Sequence, residues 1–148
     1  MAGINDKKRK KRQEELLALF GRAPIKKTLG IGFHYDEEGA AVFNLPYNPG
    51  LDHALDGIHG GVIAILLDNA GWFTVAQFYD AWVATAELQV RLLKPVAKTD
   101  IYSRGRILNL GKKIAVAEME VRTREDLLIA VGSGTFVVTS VSTTNSTA

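Results

Sequence analysis

The sequence predicts an α+β domain in which one curved antiparallel β-sheet wraps around a central apolar helix, with an extra helix at the N-terminus. Three observations carry this. Residues 62–78 are almost wholly apolar and hold a single charge, Asp68, and they follow the glycine-rich turn Gly57-Ile58-His59-Gly60-Gly61. A helix that is apolar on nearly all faces must be surrounded by protein. Residues 82–92 alternate with period two, Trp82, Ala84, Ala86, Leu88, Val90 and Leu92 against Val83, Thr85, Glu87, Gln89 and Arg91, which is the pattern of a half-buried strand. Further strand-like segments follow, separated by short turns, and short turns join antiparallel neighbours.

Each element has its own signal. Residues 7–20 read as a short basic amphipathic helix stopped by Gly21 and Pro24. Residues 26–35 read as a strand interrupted by Gly30 and Gly32, and the turn Asp36-Glu37-Glu38-Gly39 leads to a second strand over 40–45. The polar loop 46–58 is long for a small domain, and such loops are often functional. The central helix is expected over 59–78 and strands over 82–92, 101–110, 114–124 and 127–141. Pro95 ends the first of these, and Gly111-Lys112-Lys113 and Glu125-Asp126 supply turns. The expected organisation is a basic N-terminal segment (1–24), one domain (25–141) and a disordered low-complexity tail (142–148). One sheet with one helix leaves strand edges and a second face open, so pairing with a second copy is expected.

Composition narrows the chemistry. The chain has 148 residues and 47% apolar content, enough for one domain with a real core. The absence of cysteine excludes disulfides, thiolate metal sites and a cysteine nucleophile. His34, His53 and His59 lack metal-ligand spacing, so no metal site is expected. The net charge of +2 is uneven. Lys7–Arg12 are six consecutive basic residues, and without them and the adjacent Asp6 the chain holds 12 basic and 15 acidic side chains, a balance of −3. The body is therefore no nucleic-acid surface, and the basic run reads as a solvated, frayed terminus or else as a site for phosphate-rich partners. The residues before it lack an apolar stretch, so no signal peptide is expected. The central helix is short for a membrane span and carries a charge, so no membrane association and a cytoplasmic location are expected.

The turn and the helix suggest a site. Glycines let a backbone approach a ligand closely, and a helix N-terminus offers unpaired N–H groups to negative charge. A carboxylate in an apolar helix must be paired, neutralised or used. Together these suggest an oxyanion-stabilising turn and a base.

The strings IHGGVIAILLDNAG, TAELQVRLLKPV and RILNLGKKIAVAEMEV resemble the hot-dog-fold acyl-CoA thioesterases, most closely the phenylacetyl-CoA and medium-chain acyl-CoA thioesterases with an HGG motif. The match runs from about residue 25 to 140. The resemblance implies the hot-dog fold and a homodimer, often a dimer of dimers. It also implies hydrolysis of acyl-CoA to free acid and CoA, with no cofactor beyond the CoA of the substrate. It makes Gly60 the residue whose N–H polarises the thioester carbonyl. Asp68 becomes the nucleophile or general base, and Thr85 the hydroxyl that helps place water. His59 is expected chiefly to hold the turn, and Gly61 to lie against substrate. Trp72 and Phe73, one turn beyond Asp68, are candidates for an acyl pocket or for core packing. Basic residues near strand ends, Lys94, Arg104 and Lys112 among them, are candidates for CoA phosphates. One departure stands out. Many relatives carry Asn or Gln six residues before the HGG histidine, and this chain has His53 there, which can hydrogen-bond the same groups or act as a base.

Geometry adds one expectation. Gly60 and Asp68 lie eight residues apart, so on one helix they are separated by ~12 Å. Both need to reach about 3 Å from one reacting group. Composite sites are expected, with Gly60 from one subunit and Asp68 from the other. The competing expectation is a non-catalytic acyl-CoA binding or sensing domain.

Overall fold

The computed structural model describes residues 5–142. The expected tail lies outside the described residues except for Ser142, which closes the last strand. The elements are α1 (Asp6–Gly21), α2 (Pro24–Leu29), β1 (Gly32–Tyr35), β2 (Ala41–Leu45), a 3-10 turn (Pro49–Leu51), α3 (Gly60–Ala76), β3 (Ala81–Leu92), β4 (Ile101–Leu110), β5 (Ile114–Thr123) and β6 (Leu128–Ser142). The six strands form one antiparallel sheet in the order β1-β2-β4-β5-β6-β3. The sheet curls around α3, as the apolar helix requires.

Two expectations are corrected. Residues 24–29 are helical, so only Gly32–Tyr35 of the expected first strand is strand. The helix signals are local: Pro24 opens it, and Gly30, at φ 71°, closes it in the left-handed region where glycine is favoured. The basic run is also not a frayed end. It forms the first turns of α1, capped by Asn5, whose side chain accepts from the Lys7 N–H. Arg12 is buried and paired with Glu15 at 3.0 Å, and Leu16 and Phe20 enter the core. The Phe20 ring meets Phe33, Phe43 and Phe73 edge-on or nearly so at 5.1–5.6 Å.

A third difference concerns β3. Its neighbour is β6, not β4, which makes β3 an edge of the sheet. The segment between β3 and β4 crosses the end of the sheet instead. Leu93 and Lys94 donate to the Ile129 carbonyl, and Val96 accepts from Ile58 just before α3. A register shift between Thr85 and Glu87 breaks the period-two pattern. Val83 is buried on one side of the shift, and Leu88 and Val90 pack on the core beyond it, because the extra residue flips the alternation.

Helix α3 is tied to the sheet by more than packing. Ser103 donates to the Leu66 carbonyl, the Ala41 N–H donates to Thr74 Oγ1, and Tyr35 donates to the Phe73 carbonyl, all at 2.9 Å. The closest approach is at Gly105 on β4, where a Cβ would stand 2.4 Å from the Ala70 carbonyl oxygen. The absence of a side chain there lets helix and sheet touch backbone to backbone.

Candidate active site

The Gly57–Gly61 segment becomes the entrance to α3. His59 is the N-cap, and its Nδ1 accepts from the Gly61 N–H at 2.9 Å. The expected holding role of His59 has this geometry. The same bond uses the Gly61 N–H, so Gly61 has no free backbone donor for a ligand. Gly60 is the first helical residue, and its N–H has no intrahelical acceptor because nothing precedes it in the helix. It is an oriented donor at the positive end of the α3 dipole.

The loop before it is built rather than loose. Asp52 and Ile58 form a bridge, the His53 N–H donates to the Gly57 carbonyl at 2.8 Å, and His53 Nδ1 accepts from the Leu55 N–H at 3.1 Å. His53 thus faces Gly57 with its Nε2 edge. His53, Gly60, Leu92, Lys94 and Val96 line one cleft of about 230 Å³ at the start of α3. Of the three expected phosphate contacts, Lys94 is the one that lies here.

Two turns along α3, Asp68 is half-buried and accepts from the Thr85 hydroxyl at 2.8 Å. Burial pushes the Asp68 carboxyl above the usual carboxylate range, and the Thr85 hydrogen bond partly offsets this. Asp68 and Thr85 line a second cleft, of about 600 Å³, with Asn69, Trp72, Phe73 and Trp82. The Trp72 indole is fixed by donating to the Val83 carbonyl at 2.7 Å, and it packs 5.0 Å from Trp82. Sequence reasoning did not select Asn69, whose Nδ2 is buried without a hydrogen-bond partner, or Trp82. Alternation alone placed Trp82 and Thr85 on opposite faces and said nothing of a shared cleft.

The structure therefore brings Asp68, Thr85, Trp72 and Phe73 together, and separately His53, Gly60 and Lys94. The other two basic candidates lie elsewhere. Arg104 is held by Asp36 at 2.7 Å and by Glu38, and it lines a crevice on the sheet face away from α3 together with Arg106 and Glu118. Those carboxylates hold the Arg104 guanidinium above its ordinary pKa. Lys112 sits exposed in the β4–β5 turn. Among the described residues no cluster of His, Asp or Glu could hold a metal ion, and no helix is long and apolar enough to cross a membrane.

The family model of the thioesterase superfamily matches residues 56–130, which span the α3 turn, Asp68 and Thr85. The chain belongs to the thioesterase superfamily. A provisionally named esterase of Halobacterium salinarum is 32% identical over 123 residues, covering 74% of this chain and 81% of that protein. A protein of Bacillus halodurans, solved with CoA, is 28% identical with a TM-score of 0.75, covering 94% of this chain and 96% of that one. The PaaI protein of the E. coli phenylacetic acid degradation operon shares the fold, with a TM-score of 0.80 at 19% identity over 89% of this chain and 96% of that one. The structural likenesses agree with the hot-dog architecture described above, and the superfamily match and the esterase relative support a thioester hydrolase.

Proposed function

We propose that the protein hydrolyses acyl-CoA thioesters at composite sites formed across a homodimer. The observation that carries this is the separation of two complementary half-sites on α3. Gly60 presents a free N–H in one cleft, and Asp68 presents a carboxylate in another. Along the helix they are ~12 Å apart. Two α3 helices running antiparallel across a two-fold axis bring one Gly60 to the partner's Asp68, and the edge strand β3 offers unpaired backbone for the same association. The CoA held by the Bacillus halodurans relative supports CoA as the carrier.

In this reading the thioester oxygen accepts from the Gly60 N–H, and the α3 dipole stabilises the charge that develops there. Asp68 takes a proton from water as the hydroxide adds to the carbonyl carbon. Collapse of the adduct breaks the C–S bond and releases CoA as thiolate. A direct attack by Asp68, giving a mixed anhydride that water opens, uses the same two groups. Thr85 holds Asp68 oriented and favours its ionised form. Removal of a general base typically costs 10²–10⁴-fold in rate.

Thiol release from a panel of acyl-CoAs, comparing the native chain with Asp68→Asn, tests this. Turnover of at least one acyl-CoA, reduced by about 10²-fold or more in the variant, is the expected result. Saturable acyl-CoA binding without turnover would instead make the domain a sensor.

A further inference from the structure

We propose that the N-terminal helical corner, Leu19 to Ile25, is the outer wall of the acyl site and selects the acyl chain that enters it. The inference rests on the reading of Asp68 as the hydrolytic group and goes beyond it. One side of the 600 Å³ cleft is Asp68, Trp72 and Phe73 of α3 with Trp82 and Thr85 of β3. The facing side is Leu19, Phe20, Ala23 and Ile25, with Arg22 as its one charged member. This second wall lies outside residues 56–130, the part of the chain that the superfamily model matches. The wall that faces Asp68 therefore comes from the N-terminal segment and not from the stretch that the superfamily model matches.

The wall is well anchored. Leu16 and Phe20 are buried in the core on the inner side of α1. The turn between α1 and α2 is closed by the Ala23 N–H donating to the Phe20 carbonyl at 3.0 Å and the Lys26 N–H donating to the Ala23 carbonyl at 3.1 Å. On the cleft side the lining is mainly apolar and only partly covered: Ile25 is 38% exposed and Trp82 41% exposed. An acyl chain with its thioester at Asp68 is the occupant that fits this arrangement, because apart from Asp68, Asn69, Thr85 and Arg22 the cleft is lined by aromatic and aliphatic residues. Each methylene buried there tightens binding by about fourfold, the equivalent of ~0.8 kcal/mol.

Binding of non-hydrolysable thioether analogues with C4, C8 and C12 chains, titrated on the full chain, tests the proposal. The chain's two tryptophans both line the cleft, so their fluorescence reads its occupancy. Ala23→Phe should fill the cleft, weakening the C12 analogue by about tenfold or more and the C4 analogue by less than about threefold. Ala23 has extended backbone angles that phenylalanine adopts freely. Ile25→Ala trims a surface side chain, leaves the fold intact by circular dichroism, and should reduce the gain in affinity from C4 to C12. Parallel chain-length profiles for the native chain and both variants, or no binding of any analogue by the native chain, overturn the wall. Should Ala23→Phe not fold, the Ile25→Ala profile decides alone. Undiminished hydrolysis by Asp68→Asn would overturn the hydrolytic reading separately, with the binding profiles still judging the wall.

Discussion

Thr85 of β3 donates its hydroxyl proton to Asp68 of α3 over 2.8 Å, and this contact joins the edge of the sheet to the charged residue of the central helix. The bond favours the ionised carboxylate, while burial favours the protonated acid, and burial is the larger influence. Asp68 must be ionised to accept a proton from water. Hydrolysis is therefore expected to fall as pH drops through the raised pKa of Asp68.

Removal of the hydroxyl in Thr85→Ala takes away the influence that lowers this pKa. The acid limb of the kcat profile should move to higher pH, and kcat at neutral pH should fall by about tenfold, the value of one charge-assisted hydrogen bond. Thr85→Ser should restore both. A pH–rate profile that does not move in Thr85→Ala would leave Thr85 as an ordinary strand residue.

Asp68→Asn should separate activity from stability. The folded state binds a proton at Asp68 more readily than the unfolded state, so stability from this group is present at low pH and declines as pH rises through the folded value. The amide carries no charge to desolvate. The variant should melt above the native chain at neutral pH, and the difference should shrink below the ordinary aspartate pKa of about 3.9. Calorimetry at several pH values measures this.

Gly60→Pro should delete one N–H and displace the end of the exposed Leu92 side chain, which a Cβ at position 60 would approach to 2.7 Å. Proline suits the first helical position, and His59 already has the extended backbone, φ −64° and ψ 131°, that a following proline demands. Loss of an oxyanion donor should cost about 10²–10³-fold in kcat. Mixed with Asp68→Asn chains and allowed to exchange subunits, the pair should recover about a quarter of native activity, because half the dimers then hold one intact composite site. No recovery between chains shown to exchange would place both groups in one subunit's site.

Two packing substitutions test the frame around the site. Gly105→Ala puts a methyl group against the Ala70 carbonyl and should cost about 1–3 kcal/mol, read by denaturant unfolding. Leu16→Ala empties a fully buried position of α1 and should cost about 2–5 kcal/mol. A much smaller loss for Leu16→Ala would mean that α1 is not part of the cooperative core.

The strand and helix pattern was legible in the sequence wherever periodicity ran long. The α3 segment could be nothing but a buried helix, since it is apolar on every face, and the residues of 82–92 and 114–124 alternate in sequence. The short α2 was misread as strand because six residues carry little periodic signal, although Pro24 and Gly30 marked its ends. The β3–β6 pairing was illegible because register and neighbour depend on long-range contacts that chain order does not encode.

The Gly57–Gly61 turn and Asp68 announced by residue type alone that a donor and a carboxylate sit on one helix, because glycine spacing and a lone charge in apolar sequence are local facts. Only the tertiary structure decided what surrounds them. It set Thr85 against Asp68 through a bulge that flips one strand's alternation, and it spent the Gly61 N–H on His59. It also carried an N-terminal corner, far from β3 in the chain, across the cleft to face Trp82. Those choices arise from the closing of a curved sheet on a helix, where packing brings distant segments to within a few ångströms and no local pattern records the meeting.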